Sequence, residues 1–295
     1  MVDFIKIITR NFNTPSLEAH SALNFVGSYY CETGEAIPNK KAQYKGMEFI
    51  LYDNGLLKIQ GSIHKYKNDG LHNHDDFTFM QIAEVLTDLQ NRFNLTLSDC
   101  VLKNFEVGIN VQLKDSPKSI LNRLLTHKNL AFKDVSRSGG HIKQAEHAQY
   151  IFKVYDKGRQ YNLKHPCLRT ELKFVRMQKL NNIGLFNLAD LLKKSTYSAL
   201  ESLLINEWNN LLLFEKPLNS KLLSPLERDR KQYQWANPEY WLSISKQERN
   251  RQRKTFRSYI TKRTVNEHLI VAIMIENKFT ELISAWLPIY DSIIV

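Results

Sequence analysis

Short segments in which hydrophobic and polar residues alternate recur along this chain, and such alternation is typical of β-strands with one buried face. On residues 104–112 the apolar face carries Phe105, Val107, Ile109 and Val111. Residues 57–64, 151–155 and 168–174 alternate in the same way. Four such strands predict an α+β fold, with an antiparallel sheet, helices on one face and an open polar face on the other.

Other patterns add further elements to this sheet. More strands are predicted at residues 4–9, 47–52, 56–66 and 149–157. Asn54 and Gly55 supply the tight turn of a hairpin, because both tolerate a positive φ. Helical periodicity is found at residues 76–94 and 116–128, and again after Phe186. A stretch rich in proline and charge then predicts a boundary between a first domain, 1–215, and a helical, basic C-terminal region, 216–295.

The charge of the chain points to a polyanionic partner. The 295 residues carry a net charge of +11, and the segment from Lys221 to Arg263 holds twelve Lys and Arg against four acidic residues. Such a basic surface most often meets nucleic acid. Candidate DNA contacts are Arg249, Arg251, Arg253, Lys254 and Arg257, together with Lys153, Arg169 and Lys173 on the predicted sheet.

Aromatic residues near the basic run favour DNA binding over the other reading, a solvated charged helix. They are Trp235, Tyr240, Trp241, Phe256 and Tyr259. Three widely spaced cysteines with no Cys-x-x-Cys pair indicate a reducing compartment. No apolar run is long enough to span a bilayer, and the first residues lack the pattern of a signal peptide.

The polar sheet face carries residues that together suit phosphodiester chemistry. Glu106 and Glu171 are of the type that holds Mg²⁺ or Mn²⁺, and His64 is able to complete such a site. A metal there polarises a phosphodiester. It also favours the phenolate of Tyr155, as do neighbouring lysines. Attack by that oxygen gives a covalent phosphotyrosine, and no nucleotide-binding loop is needed or found.

Ordinary structural roles remain open for the same residues. Tyr155 suits an amphipathic strand edge with its ring on apolar surface. Glu171 suits a solvated ladder of ion pairs with Arg169 and Lys173. His64 on its own is more often structural than a ligand. The sequence His72-Asn73-His74 reads as a turn.

Three segments, in order, resemble the replication initiators of the filamentous-phage gene II type and, more loosely, the rolling-circle plasmid initiators. The segments are KNFEVGINVQLKDSPKSILNRLL, QYIFKVYDKGRQY and LRTELKFVRMQKLNNIGLFNLADLL. They match an acidic strand followed by a helix, a Tyr-x-Lys strand, and an Arg-x-Glu strand followed by a helix. GLLKIQGSIHKYKNDGLHNHDDF is similar to a Gly-Ser-x-His-Lys segment of related phage initiators.

This resemblance assigns the catalytic positions of the Tyr-x-Lys strand. Tyr155 occupies the position of the nucleophile, and Lys157 occupies that of the lysine. Tyr161 is a candidate second nucleophile, because termination of rolling-circle replication needs another strand transfer. A packing role suits Tyr161 equally well.

The resemblance also implies a metal site. Glu106 falls at the acidic position of the first strand, Glu171 on the glutamate of Arg-x-Glu, and His64 in the Gly-Ser-x-His-Lys segment. The chain departs from the broader His-hydrophobic-His endonucleases, since no such triplet lies on a strand. The expected Mg²⁺ or Mn²⁺ site is therefore rich in carboxylates.

The expected function is that of a replication initiator that nicks one strand at an origin. Residues 1–215 then form the nicking domain. The implied partners are single-stranded or hairpin origin DNA, a host helicase and a single-strand-binding protein, in the cytoplasm of a bacterial host. Two alternatives stay open: a non-catalytic DNA-binding regulator on the same scaffold, and the relaxase of a mobile element.

Overall fold

The computed structural model describes residues 1–137 and 140–284. The strands are β1 (Val2–Thr9), β2 (Val26–Tyr29), β3 (Ala36–Tyr44), β4 (Met47–Tyr52), β5 (Leu57–Ser62), β6 (Val101–Gln112), β7 (Leu124–His127), β8 (Leu130–Ala131), β9 (Lys133–Arg137), β10 (Gly140–Glu146), β11 (Tyr150–Asp156), β12 (Cys167–Phe174) and β13 (Leu211–Leu213). The α-helices are α1 (Thr14–Glu18), α2 (Ile63–Lys67), α3 (Phe79–Phe93), α4 (Lys118–Leu121), α5 (Lys157–Gln160), α6 (Gln178–Asn181), α7 (Lys194–Asn209), α8 (Pro225–Arg230), α9 (Pro238–Ser243), α10 (Lys246–Arg263) and α11 (Glu267–Ser284).

Two compact units divide the chain. The first comprises Met1–Gly108, Leu172–Ser202 and the described residues from Phe279 onwards, and the second comprises Ile109–Glu171 and Leu203–Lys278. The strands of the first unit follow the order β2-β3-β4-β5-β1-β6, and those of the second follow β12-β11-β10-β9. The end of β6 from Ile109 onwards belongs to the second unit, and the end of β12 from Leu172 onwards belongs to the first. A smaller sheet, β13-β7-β8, belongs to the second unit. Pairs such as β1–β5 and β10–β11 are antiparallel, so the predicted antiparallel α+β class is confirmed.

The core of the first unit follows from strand alternation and one amphipathic helix. Ile5 and Ile7 of β1 are buried, as expected when alternate side chains share a face. Helix α3 begins with a capping box, in which the Thr78 side chain accepts from the Gln81 backbone and the Gln81 side chain accepts from the Thr78 backbone. Its buried stripe is Phe79, Ile82, Ala83, Val85, Leu86, Leu89 and Phe93.

The second unit gathers its large aromatic residues inside. Trp235, Trp241, Phe256 and Tyr259 are buried in one apolar cluster. The indole N–H of Trp241 donates to the Trp235 carbonyl at 3.1 Å. The expectation that these aromatics meet DNA is therefore wrong for these four; Tyr240 is partly buried against the same cluster. Phe256, Tyr259 and Ile260 recur at helical spacing, so they form the inner face of α10.

Three predicted elements end earlier than the sequence pattern indicates. Strand β5 stops at Ser62, because its side chain accepts a hydrogen bond from the backbone of Lys65 and caps α2. His64 therefore lies on a helix and not on the polar face of a strand. The helix predicted for 116–128 is short, since Leu124 pairs with Leu213 in the smaller sheet. Helix α7 likewise ends before β13.

Strands β2, β3, β9 and β10 are absent from the sequence-based prediction. Residues of β2 are exposed throughout, so they show no alternation to detect. Within the described residues, no helix is both long and apolar enough to cross a membrane. The predicted boundary between residues 1–215 and the C-terminal region 216–295 stays a prediction. The last residues of that region, 285–295, lie outside the described part of the chain.

Candidate active site

A hydrogen-bonded cluster around Glu171 joins β11 and the part of β12 that lies in the second unit. The Tyr155 hydroxyl donates to Oε2 of Glu171 at 3.2 Å. Lys153 Nζ donates to Oε1 at 2.7 Å, and Arg169 Nε donates to Oε2 at 2.9 Å. Lys153 and Tyr155 are two residues apart on a strand, as are Arg169 and Glu171, so each pair shares one face. The structure thus brings together four residues that the sequence singled out.

The electrostatics of this cluster keep Glu171 ionised. Burial raises the pKa of the Glu171 carboxyl, but the positive charges of Lys153 and Arg169 outweigh burial and hold that pKa well below its ordinary value. A buried carboxylate is costly to desolvate unless it is paired. Two cations around one anion leave the cluster with a net charge of +1, which favours an approaching phosphate.

Asn110 completes the cluster and was missed by sequence reasoning. Its Oδ1 accepts from Arg169 Nη1 at 3.0 Å, so the guanidinium is fixed from two sides. Its place on the polar face of residues 104–112, the strand resembling the family's acidic strand, was the available signal. A neutral amide among charged residues does not by itself indicate a functional site.

Lys157 lies between two aromatic rings. Helix α5 starts directly after β11, where Asp156 caps it by accepting from the Arg159 backbone at 2.8 Å. Lys157 is 1 % exposed. Its Nζ lies 5.8 Å from the centroid of the Tyr155 ring and 4.6 Å from that of Tyr161. Both distances are within the range of cation–π attraction.

Burial distinguishes the structure from the open face that the pattern predicts. Tyr155 is 6 % exposed and Glu171 is 2 % exposed. Lys153 is the partly exposed member of the cluster, with 13 % of its side chain accessible. Solvent therefore reaches the cluster at Lys153, and a phosphate entering there meets that ammonium group first.

Glu106 and His64 belong to the first unit and have partners of their own. Glu106 Oε1 lies 2.7 Å from Lys173 Nζ. His64 Nε2 lies 2.7 Å from Asp75 Oδ1, and its ring stacks on Phe77 with centroids 4.7 Å apart. These contacts fit the structural alternative for His64.

The carboxylates do not form a ready cation site in this arrangement. Both oxygens of Glu171 accept from cations or from Tyr155, and Glu106 is paired with Lys173. Within residues 1–137 and 140–284, no group of three or more His, Cys, Asp or Glu side chains is arranged to hold a metal ion. The metal roles of Glu106, Glu171 and His64 stay predictions.

The basic residues of α10 divide into two kinds. Arg249 donates to the carbonyls of Trp241 and Ile244 at 2.6 and 2.9 Å. Arg253 donates to the Lys128 carbonyl, and Arg257 to the Asn209 carbonyl at 2.8 Å. These arginines hold the unit together.

The remaining two basic candidates of α10 face solvent. Lys254 is exposed. Arg251 is exposed as well and pairs with Glu248 at 2.7 Å. Of the five predicted DNA contacts on α10, Arg251 and Lys254 are exposed, and so is Arg257 although it donates to the Asn209 carbonyl.

A second buried polar cluster in the second unit was not predicted. The carboxylate of Glu207 accepts from Lys128 Nζ at 2.9 Å and from the Tyr150 hydroxyl at 2.8 Å. His127 Nδ1 lies 2.7 Å from His147 Nε2. Burial raises the pKa of Glu207, but hydrogen bonds from His127, Lys128 and Tyr150 outweigh it and hold the pKa at about 2. These residues lie on separate elements, so no local sequence motif indicates that they form a cluster.

No protein-family model matches the chain, and no curated protein matches it. Among solved structures, a rolling-circle replication initiator protein from Geobacillus stearothermophilus is similar to 79 % of this chain and 94 % of its own, at 11 % identity and a TM-score of 0.39. This likeness does not show a family for the chain.

Proposed function

We propose that this protein is a DNA strand transferase that nicks one strand at a replication origin and so starts rolling-circle replication. The observation that carries the proposal is the hydroxyl of Tyr155 hydrogen-bonded to the ionised Glu171, inside a cluster of net positive charge. A tyrosine needs such surroundings, since a free phenol has a pKa of about 10 and is a poor nucleophile. The order of the three sequence segments agrees with this chemistry.

In the proposed step, the Tyr155 oxygen attacks a phosphodiester and its proton passes to Glu171. A bond forms between Tyr155 Oη and phosphorus, and the bond from phosphorus to the 3′ oxygen breaks. The leaving oxygen takes a proton from water and becomes a free 3′-OH. The DNA remains attached through its 5′ phosphate, so the energy of the phosphodiester is conserved.

Lys153 gives Glu171 a way to become a better base when DNA is present. While Lys153 pairs with Glu171, the depressed pKa of that carboxyl opposes proton transfer from a phenol. A phosphate that draws the partly exposed ammonium group towards itself weakens this pairing and raises the pKa of Glu171. Arg169 stays in place through Asn110 and holds the carboxylate towards Tyr155.

The test is the formation of a covalent adduct. Single-stranded oligonucleotides tiled across the replicon that encodes the chain are incubated with the protein, with and without Mn²⁺, and separated under denaturing conditions. We expect an adduct with an origin-derived oligonucleotide, and its loss in Tyr155→Phe. The proposal is overturned if none of the oligonucleotides gives an adduct, or if Tyr155→Phe gives as much adduct as the wild type.

A non-catalytic DNA-binding regulator is the second candidate. The observation that favours it is the burial of Tyr155 and Glu171, which also suits a structural ion-pair network. It predicts salt-dependent DNA binding, no adduct and no response to divalent metal. A relaxase would share the adduct chemistry and differ in the origin that it cuts.

A further inference from the structure

An open cleft of about 480 Å³ lies in the second unit beside helix α5. Its walls are the start of α5, the following loop of residues 162–166, and Ser116 with Pro117. Arg159, Lys164 and His165 line it, and all three side chains are exposed. Its volume falls within the roughly 300–1,000 Å³ of small-molecule sites.

The backbone around this cleft is held in place. Asn162 adopts φ 52°, a left-handed conformation that asparagine enters more readily than most residues. This turns the loop back, and the Leu163 backbone donates to the Gly158 carbonyl at 2.8 Å. A Cβ on Gly158 would meet the His165 carbonyl at 2.9 Å, so only glycine lets the two segments approach this closely. The cationic side chains thus project from a fixed frame.

We propose that this cleft binds the backbone phosphates of single-stranded DNA next to the phosphate that Tyr155 attacks. Arg159 and Lys164 supply the charge, and the open shape suits a strand that passes through rather than a small molecule that is enclosed. This inference rests on the proposed function for the identity of the strand. Asp156, on the cleft wall, carries a negative charge and caps α5 by accepting from the Arg159 backbone, but the two cations Arg159 and Lys164 outnumber it, so the lining keeps a positive balance.

The position of the cleft predicts that it contacts DNA phosphates beside the reacting phosphate and does not contact the reacting phosphate itself. Tyr155 and Asp156 are consecutive on β11, so their side chains point to opposite faces. The cleft begins at Asp156, and a strand reaching both places has to pass the end of β11 at α5. The cleft therefore contributes to binding the strand and leaves the reacting groups unchanged.

The experiment compares Arg159→Ala/Lys164→Ala with Lys41→Ala/Lys103→Ala, a control with the same change in charge at exposed sites of the first unit. Binding of a fluorescent single-stranded oligonucleotide is measured by anisotropy at several salt concentrations. Each phosphate contact contributes about 0.7 to the salt slope for single strands. Because two cations are removed, we expect the cleft variant to lower the slope by about 1.4 and to raise the Kd roughly tenfold at 0.1 M salt. The control should change neither substantially.

Adduct formation separates this inference from the proposed function. The cleft variant should still form adduct when DNA is saturating, whereas Tyr155→Phe should still bind the oligonucleotide and form no adduct. Three outcomes overturn the inference and leave the role of Tyr155 intact. The cleft variant binds single-stranded DNA with unchanged affinity, the control loses as much affinity as the cleft variant, or the cleft variant loses affinity only for a double-stranded oligonucleotide. If the wild-type protein forms no adduct but the cleft variant binds more weakly, the proposed function fails and the cleft stands.

Discussion

The hydroxyl of Tyr155 donates a hydrogen bond to Glu171 at 3.2 Å, although the two residues are 16 positions apart in the chain. Neighbouring cations make this contact more than a structural link. Lys153 and Arg169 form ion pairs with the carboxylate of Glu171. The phenol of Tyr155 therefore lies beside an ionised acceptor within a positively charged cluster.

Replacing Glu171 with glutamine should reduce both stability and adduct formation. The substitution leaves Lys153 and Arg169 without their buried counter-charge, and breaking such pairs costs about 3–5 kcal/mol. Tyr155→Phe removes one hydrogen bond, worth about 1 kcal/mol, and should abolish the adduct with a small change in stability. Urea unfolding followed by an adduct assay under folded conditions measures both effects. Equal stability of wild type and Glu171→Gln would contradict the importance of the pairing.

Acid should destabilise the second unit in two steps. Burial lowers the pKa of His127, so its contribution to stability is present above the ordinary histidine pKa of about 6.5 and is lost as pH falls below it. Glu207 has its pKa lowered to about 2, so its contribution is present above pH 4.5 and is lost as pH falls towards 2. That second loss is on the order of 3 kcal/mol.

Unfolding by urea at pH 7, 5.5, 4.5 and 3 measures these steps. Glu207→Gln should be less stable at pH 7 and should lose less between pH 4.5 and 3 than the wild type, because the loss that remains comes from other paired carboxylates such as Glu171. Glu146→Gln, at an exposed ion pair with Lys133, is the control and should follow the wild-type curve. A Glu207→Gln variant with the full wild-type acid dependence would count against the assignment.

Divalent metal provides a separate test of the expected Mg²⁺ or Mn²⁺ site. If Glu106, Glu171 and His64 bind a metal once DNA is present, EDTA should abolish the adduct and Mn²⁺ should restore it. His64→Ala should then raise the Mn²⁺ concentration needed for half-maximal adduct. A full yield of adduct in EDTA would show that Lys153 and Arg169 supply the required charge without a metal.

The arginines of α10 should separate DNA binding from folding. Arg251→Ala/Lys254→Ala removes two exposed cations and should weaken DNA binding most at low salt, without a change in Tm. Arg253→Ala removes a donor to the Lys128 carbonyl and should lower the Tm, since an unpaired buried acceptor costs about 1–3 kcal/mol. Anisotropy and thermal unfolding of the same samples distinguish the two outcomes.

Sequence patterns predicted the strands that carry the site better than the state of its side chains. Alternation located β6, β11 and β12, and the spacing of Lys153 with Tyr155 correctly placed them on one face. It could not predict that Glu171 is buried as an ion, because its carboxylate is paired with Arg169 on its own strand and with Lys153 on β11, and Asn110 of β6 fixes Arg169.

The errors have local causes. The alternation of β5 continues through His64, but the hydroxyl of Ser62 caps α2 and ends the strand there. Trp235 and Trp241 resemble a nucleic-acid surface when read beside the basic run, yet they pack on the inner side of α10. The sequence around Leu124 has helical periodicity. Leu124 belongs to a strand because it pairs with Leu213, which is distant in sequence.

The position of Lys157 between the rings of Tyr155 and Tyr161 has a consequence for any second strand transfer. One ammonium group can compensate only one negative phenolate at a time. Two tyrosines sharing it would be activated one after the other and not together, because esterifying the first phenolate removes its charge and frees the ammonium group for the second.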